Sequence, residues 1–256
     1  MSERIAVTGI GVVSPIGTGF ESFRRALAAG KSGIGEITNF DASELPVQIA
    51  GEVRDFNLAE HIASMKTYLD RTSAFALAAS AMAISQAGWA APLDDAGLCL
   101  GTAWGCQDSI ELYVTKLIES DPKFAPPLVF THGYANAPNS LVSIEFGLHG
   151  HNACFAGGCT AGAAAIEAAV DFIRRDGAQR LLAGGSDAFS DVALRVLLAA
   201  NLAVHGGRPF DAASDGLVPG EGAAMLALES EQSERAANRA IRRNRAFFSA
   251  VNTSEP

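Results

Sequence analysis

The strongest constraint on the fold is a change of pattern within residues 151–175, HNACFAGGCTAGAAAIEAAVDFIRR. A short apolar run passes through Gly157 and Gly158 into Cys159, and an alanine-rich stretch of helical character follows at once. Glycines permit the sharp turn that a direct strand-to-helix junction needs. The pattern is typical of a nucleophile elbow, in which the positive end of the helix dipole favours the thiolate form of a cysteine. The alternative is that Cys159 is a small buried apolar residue.

The rest of the chain alternates short apolar runs bounded by glycine with longer stretches of helical periodicity. This alternation predicts an α/β fold whose strands are covered on both faces. Strands are predicted at residues 5–8, 98–102, 152–156, 181–185 and 223–229. Helices are predicted at residues 20–27, 70–87, 110–118, 160–175 and 192–200. A loop is expected at 122–127, and the arginine-rich residues from 232 onward are predicted to form a helix that leads into a strand.

Two of these helices carry specific packing expectations. The spacing of Ile110, Tyr113, Val114, Leu117 and Ile118 predicts one buried stripe. The helix after Cys159 is apolar nearly all round, which predicts close packing on most of its sides.

Composition excludes several classes of function. The formal net charge of −9 has the wrong sign for binding a phosphate backbone, so no nucleic-acid partner is expected. Residues 72–93 carry no charge, but they are mostly alanine and predict a buried core helix rather than a membrane span. The N-terminus lacks the apolar stretch of a signal peptide, so a cytoplasmic location is expected. The cysteines show neither paired spacing nor the density of a disulfide scaffold, so free thiols and no metal site are expected.

The sequence excludes several competing motifs. The TGIG after the first strand lacks the third glycine of a dinucleotide-binding loop. The GGSDA at residues 184–188 is not the GxSxG of a serine hydrolase, and neither a P-loop nor an HExxH motif occurs. No cofactor is therefore expected.

The elbow and the segment RPFDAASDGLVPGEGAAMLALES at 208–230 together resemble the β-ketoacyl synthases of the thiolase superfamily. The resemblance continues through VTGIGVVSPIG at 7–17, residues 29–53 and VSIEFGLHG at 142–150, so it covers nearly the whole chain. It implies a thiolase-like fold consisting of a single N-terminal half, a mixed sheet with helices on both faces. Residues 1–256 are then one domain, from which the C-terminal half of the family fold is absent.

The resemblance places Cys159 at the position of the family's acyl-accepting cysteine. It places Arg208, Asp211, Asp215 and Glu221 in a loop and strand that support the active site, where a structural role for the acids is expected. The second half of the family fold, with two catalytic histidines, a lysine and a glycine-rich phenylalanine loop, has no counterpart here. The five histidines, His61, His132, His149, His151 and His205, correspond to non-catalytic parts of the first half. The chain is therefore not expected to be catalytically complete alone.

Full ketosynthases dimerise by pairing the strand before the nucleophile with its twin, and residues 152–156 supply the equivalent edge. Type II polyketide systems pair a ketosynthase with an inactive homologue, the chain-length factor, and the chain resembles a truncated version of it. By that resemblance the segment 129–134 reaches across the interface. The residues expected to form the interface or the acyl tunnel are Val129, Phe130, Tyr134, Asn152, Cys154 and Phe155. Ordinary interface packing is the alternative role for Phe130 and Tyr134.

The favoured hypothesis is a non-catalytic subunit that pairs with a full-length ketosynthase, as a heterodimer or a dimer of heterodimers. It would act in type II polyketide synthesis of the aryl-polyene kind or in fatty-acid synthesis, and meet acyl carrier protein indirectly. The alternative is an acyl-transferring or condensing enzyme that uses Cys159 while another chain supplies the missing groups. A third hypothesis is a decayed fragment without a partner, for which exposed apolar surface predicts poor solubility.

Overall fold

The computed structural model of the chain describes residues 4–203, 206–231 and 233. Its strands are β1 Ile5–Ser14, β2 Gly17–Thr18, β3 Ile34–Glu36, β4 Ile49–Gly51, β5 Ala96–Thr102, β6 Asn152–Ala156, β7 Arg180–Asp187 and β8 Gly222–Ser230. Its helices are α1 Phe20–Ala28, α2 Arg71–Ala87, α3 Gln107–Glu119, α4 Pro127–His132, α5 Ala137–Phe146, α6 Ala161–Arg174 and α7 Asp191–Ala199.

Six of the strands form one sheet in the order β2-β1-β8-β7-β5-β6, and β3 pairs with β4 in a separate hairpin. Strands β5, β6 and β7 are mutually parallel, whereas β8 runs antiparallel to both β7 and β1. The sheet is therefore mixed. Helix α2 covers one of its faces and α6 covers the other, so the predicted architecture is confirmed.

Helix α2 is buried on nearly all sides because it lies between the sheet and α5. The Asp70 carboxylate caps its N-terminus by accepting from the Thr72 N–H at 2.9 Å, and Gly88 ends it in the left-handed conformation. Two glycines of β1 let the helix approach the sheet. A Cβ at Gly9 would lie 2.0 Å from the Ala83 carbonyl oxygen, and one at Gly11 would lie 1.8 Å from that of Ala79. Strand β1 extends to residue 14, whereas the sequence predicted only residues 5–8. The prediction was too short because glycine is unfavourable inside a strand.

Helix α6 buries one stripe against the sheet, formed by Ala161, Ala165, Ala169 and Ile173. The expectation of close packing on most sides of this helix is not met within the described residues, because its outward face carries exposed positions such as Ala163 and Glu167. Nothing in the described part of the chain covers that face.

The buried stripe predicted for α3 is wrong. Ile110, Val114, Leu117 and Ile118 are exposed, and Ser109 is the buried residue of this helix. Periodicity identifies an apolar face correctly, but it does not say whether the cover comes from the same chain. The expected loop 122–127 contains a 3₁₀ turn at Pro122–Phe124, and α4 begins at its last residue.

Several elements lie outside the sequence predictions, namely the β3–β4 hairpin, α4 and α5. The predicted arginine-rich helix falls almost entirely outside the described residues, as does His205. Among the residues that the structure describes, no helix combines the length and the apolar content needed to cross a membrane.

Candidate functional site

The site is built around the junction between β6 and α6. Strand β6 ends at Ala156, Gly157 and Gly158 make the turn, and a 3₁₀ turn at Gly158–Thr160 leads into α6. Gly158 has a φ of +69°, a conformation that side-chain-bearing residues rarely adopt, so it is the glycine that the turn requires. Cys159 is exposed at the tip of this turn, and the alternative of a buried apolar residue is therefore wrong.

Close backbone contacts fix the height of α6 above the sheet. A Cβ at Gly101, in β5, would lie 2.2 Å from the carbonyl carbon of Ala161, the first residue of α6. A Cβ at Gly185, in β7, would lie 3.2 Å from the Cα of Gly162. These glycines hold the first turn of α6, and with it Cys159, at one position over the carboxyl ends of β5 and β7.

A carboxylate that sequence reasoning missed organises the same edge of the sheet. Asp187 ends β7 and accepts hydrogen bonds from Thr102 Oγ1 at 2.7 Å and from the N–H groups of Ala103 and Trp104 at 2.9 Å each. It therefore fixes the loop that leaves β5. The sequence signal is an acid that directly follows the apolar run LLAGGS, at the strand end where sheets of this type bind ligands.

Glu221 is buried and directly precedes β8. Its carboxylate pairs with the Arg71 guanidinium and accepts from the N–H groups of Val53 at 2.8 Å and Phe189 at 3.1 Å. Arg71 was not predicted, because nothing in the sequence relates it to a residue 150 positions away.

The other three residues of the predicted supporting loop lie at the surface. Arg208 forms an exposed ion pair with Asp211 at 3.4 Å, and the Asp211 carboxylate also accepts from the Ala213 N–H at 2.8 Å. Asp215 is exposed in the same loop. These residues order a turn, whereas Glu221 joins separate segments of the core.

The residues predicted for the interface lie beside the edge strand β6. Val129 is buried, while Phe130 and Tyr134 are partly exposed with ring centroids 5.2 Å apart. Cys154 Sγ donates to the Ala135 carbonyl at 3.5 Å, which connects this aromatic pair to the strand, and burial raises the pKa of the Cys154 thiol.

The two remaining predicted residues of β6 have different surroundings. Asn152 is exposed and donates through its side chain to Ser143 Oγ. Phe155 is half-buried on the opposite face of the strand, against the α6 cluster. We use the term edge surface for β6 together with Phe130 and Tyr134.

The described histidines contact side chains other than Cys159. They are His61, His132, His149 and His151, and they contact Phe56, Tyr68, Asp94 and Phe172 in that order. His151 and His149 precede β6 and therefore lie at the opposite end of this strand from Cys159. Within the described residues, none of these contacts supplies the thiol with a base.

Comparisons with known proteins agree with this architecture. The profile of the β-ketoacyl synthase N-terminal domain matches residues 2–234. The chain is 34% identical over 252 residues to 3-oxoacyl-[acyl-carrier-protein] synthase 2 of Coxiella burnetii, covering 93% of this chain and 61% of the relative. It is 32% identical over 247 residues to the protein of the same name from Synechocystis sp., covering 90% and 58%. The chain thus spans about three fifths of the length of these relatives.

A solved structure described as the ishigamide ketosynthase/chain length factor superposes with a TM-score of 0.88 at 29% identity, covering 94% of this chain and 62% of that one. The chain therefore belongs to the β-ketoacyl synthase family, and its matched residues are the N-terminal domain of that family's thiolase-like fold.

Proposed function

We propose that this chain is a chain-length-factor-like subunit, not catalytic on its own, that pairs with a full-length ketosynthase through the edge surface. The assembly would act in type II polyketide synthesis, including the aryl-polyene type, or in fatty-acid synthesis. The observation that carries the proposal is the open strand edge of β6, flanked by exposed apolar side chains.

The backbone of β6 supports strand pairing. This strand is the last in the sheet order, so one of its sides has no neighbouring strand within the described residues. An unpaired edge presents N–H and C=O groups that template the addition of another strand. A partner strand would extend the sheet across the interface.

The side chains beside this edge support a protein partner. Tyr134 is 51% exposed and Phe130 is 46% exposed. Aromatic residues are enriched in the buried centres of protein interfaces. Phe130 and Tyr134 would then contact the partner, and we propose that they help to limit the length of acyl chain that the shared tunnel accepts.

The surroundings of Cys159 support a role without condensation activity. Decarboxylation of a malonyl thioester leaves an enolate, whose charge needs hydrogen-bond donors placed at the thioester oxygen. The described histidines contact side chains other than Cys159. Losing one hydrogen-bond donor at the thioester oxygen costs about 3 kcal/mol of transition-state stabilisation. A partner ketosynthase would perform the condensation, and acyl carrier protein would dock mainly on that partner.

This proposal is tested by co-expressing the chain with the ketosynthase whose gene lies nearest to its own gene. The tagged chain should capture that ketosynthase, and Phe130→Asp with Tyr134→Asp should weaken capture at least about tenfold, as is usual for interface anchors. Leu27→Asp is the matched control, because Leu27 is 61% exposed on α1, which packs at the other end of the sheet. Capture that resists the edge-surface changes, or a purified chain that condenses malonyl donors alone, would contradict the proposal.

The exposure of Cys159 favours a second candidate, an acyl-transferring enzyme. Its thiolate would attack the carbonyl carbon of an acyl thioester, forming a new C–S bond while the donor's C–S bond breaks and the donor thiol leaves with a proton. Intact-mass measurement after incubation with acyl carrier protein tests this step. An adduct lost in Cys159→Ser but kept in Cys154→Ser supports the enzyme, whereas no adduct together with ketosynthase capture supports the subunit.

A further inference from the structure

His132 attaches the helix that carries the aromatic pair of the edge surface. It is the last residue of α4, the six-residue helix that contains Phe130, and Tyr134 follows two residues later. Its imidazole meets the Tyr68 ring edge-on, with ring centroids 5.4 Å apart and an interplanar angle of 83°. Because α4 is too short to be stable through its own hydrogen bonds, this contact helps to place Phe130 and Tyr134.

Tyr68 is held from its other side by a chain of hydrogen bonds. Its hydroxyl lies 2.9 Å from Ser109 Oγ, and Ser109 donates its own hydrogen to the Asp70 carboxylate at 2.7 Å. The Tyr68 hydroxyl is therefore the donor to Ser109. Both Ser109 and Asp70 are buried, and the same carboxylate caps α2 through the Thr72 N–H. If the contact between His132 and Tyr68 breaks, α4 moves and Tyr68 stays.

The surroundings of the His132 imidazole suit its neutral form. Its Nδ1 atom is buried and has no hydrogen-bond partner within the described residues. A neutral ring leaves one nitrogen without a hydrogen, whereas protonation places an N–H at Nδ1 that finds no acceptor there. Burial therefore lowers the pKa of His132 from its ordinary value of 6.5, and the negative charge of Asp70 offsets only part of this effect.

The other ionisable groups around this contact lie before α2 and on α3, since α4 itself carries no further ionisable side chain. The charges of Asp70 and Asp108 reach Tyr68, and the Cys106 thiol belongs to the same group. Burial, followed by the charge of Asp70, raises the pKa of Asp108 to about 6. Burial also raises the pKa values of Tyr68 and Cys106, which moves both groups further from neutral pH. Acid therefore stabilises the folded state through Asp108, the opposite of its effect through His132.

We propose that His132 is an acid-sensitive latch for α4, whose protonated ring leaves Tyr68 for water and carries Phe130 and Tyr134 out of position. Below pH 6.5 the released form binds a proton at His132 that the latched form does not bind. The ratio of released to latched chains therefore rises by up to about tenfold for each pH unit below that value. The release is a property of the chain alone, whereas its consequence, that the edge surface loses its ketosynthase partner in acid, rests on the proposed function.

Hydrogen–deuterium exchange of the purified chain tests the latch. After correction for the intrinsic pH dependence of amide exchange, the opening equilibrium of residues 127–135 should rise about fivefold between pH 7 and pH 5.5. His132→Phe keeps an aromatic ring against Tyr68 without a titrating nitrogen and should abolish this rise. His132→Gln is a second variant that removes the titration without adding an apolar ring. His149→Gln is the matched control, because His149 is exposed beside Asp94, and the rise should remain.

Asp108→Asn should leave the rise in place, because it removes a titration that acts in the opposite direction. No rise in the natural chain, or a rise that persists in both His132 variants, would overturn the latch. Ketosynthase capture at the same two pH values separates the latch from the proposed function. Capture that weakens in acid for the natural chain but not for His132→Phe supports both, and capture at pH 7 without opening in acid refutes only the latch. Opening in acid without capture at either pH supports the latch and contradicts the proposed function.

Discussion

Both carboxylate oxygens of the buried Glu221 pair with the guanidinium of Arg71, at 2.7 Å from Nη2 to Oε1 and 3.0 Å from Nε to Oε2. Arg71 is the first residue of α2 and Glu221 immediately precedes β8, so this two-point contact ties α2 to the central strands. The same carboxylate receives backbone N–H groups from the segments that follow β4 and β7. Four parts of the chain therefore meet at one side chain.

Removing either partner of this ion pair should destabilise the fold strongly. Arg71→Met leaves a fully buried carboxylate without its counter-charge, and breaking a buried pair in this way costs about 3–5 kcal/mol. Glu221→Gln should cost less, because the amide oxygen still accepts one of the N–H groups. Urea unfolding followed by circular dichroism measures both, with Glu44→Gln as the exposed control. A loss below about 1 kcal/mol for Arg71→Met would contradict the structural role of the pair.

The stability of the protein should fall as the pH rises through the titration of Asp108. Burial, followed by the charges of Asp70 and Glu111, raises the pKa of Asp108 from 3.8 to about 6. Between these two values the folded state holds a proton that the unfolded state has lost, so the folded state loses stability until the pH passes about 6. The penalty is complete above that pH and absent below about 3.8.

Asp108→Asn removes this penalty and should stabilise the protein at pH 7 by about 1 kcal/mol, allowing for solvent screening of a partly exposed group. Near pH 3.5 the variant and the natural chain should unfold alike. The unfolding free energies of the two chains are compared across this pH range. Asp121→Asn is the control, because a hydrogen bond donated by Lys123 lowers the pKa of that exposed carboxyl. An advantage for Asp108→Asn that grows towards low pH would contradict the assignment.

Gly101→Ala should displace the turn that carries Cys159. The added methyl group would meet the backbone of Ala161 at 2.2 Å, a distance that requires the start of α6 to move. Overpacking of this kind typically costs about 1–3 kcal/mol, and the rate of Cys159 alkylation should change with it. Gly157→Ala is the matched control within the turn, because no atom lies within 4 Å of its added Cβ. Equal effects of the two substitutions would show that the contact does not position the turn.

The cysteines should differ widely in their reaction with a thiol reagent in the folded protein. Cys159 is exposed and should react first, and Cys154 is partly buried and should follow more slowly. Cys99 and Cys106 are buried, and burial raises the pKa of Cys99 to about 11 and that of Cys106 still further. They should react only after unfolding. Mass mapping of the labelled cysteines over time would reveal any reversal of this order.

The elements that depend on local pattern were the predictable ones. The limits of β6 were predicted to the residue, because an apolar run is bounded there by polar and glycine positions. The end of α2 at Gly88 was predictable for a similar reason. The order of the sheet was not, since it depends on which strands pair across long stretches of chain. The burial of α3 was wrongly predicted because its apolar face has no cover within the described residues.

The residues of the candidate site also divide into those that local sequence predicts and those that depend on long-range contacts. Cys159 and Glu221 were identified through their motifs. Asp187 follows an apolar run that marks a strand end, but its partners, like those of Arg71, become visible only in the fold. Hydrogen bonds between residues so far apart leave no periodic trace in the sequence.

The position of β8 between β1 and β7 has a consequence for how the protein is made. As the chain leaves the ribosome, its first strand emerges early but meets its main neighbour only once residues 222–230 have been synthesised. Until then the sheet exists as two unconnected parts, and β1 stays open to mispairing. A nascent chain stalled before residue 222 should therefore bind chaperones that recognise extended apolar segments and release them once β8 is complete.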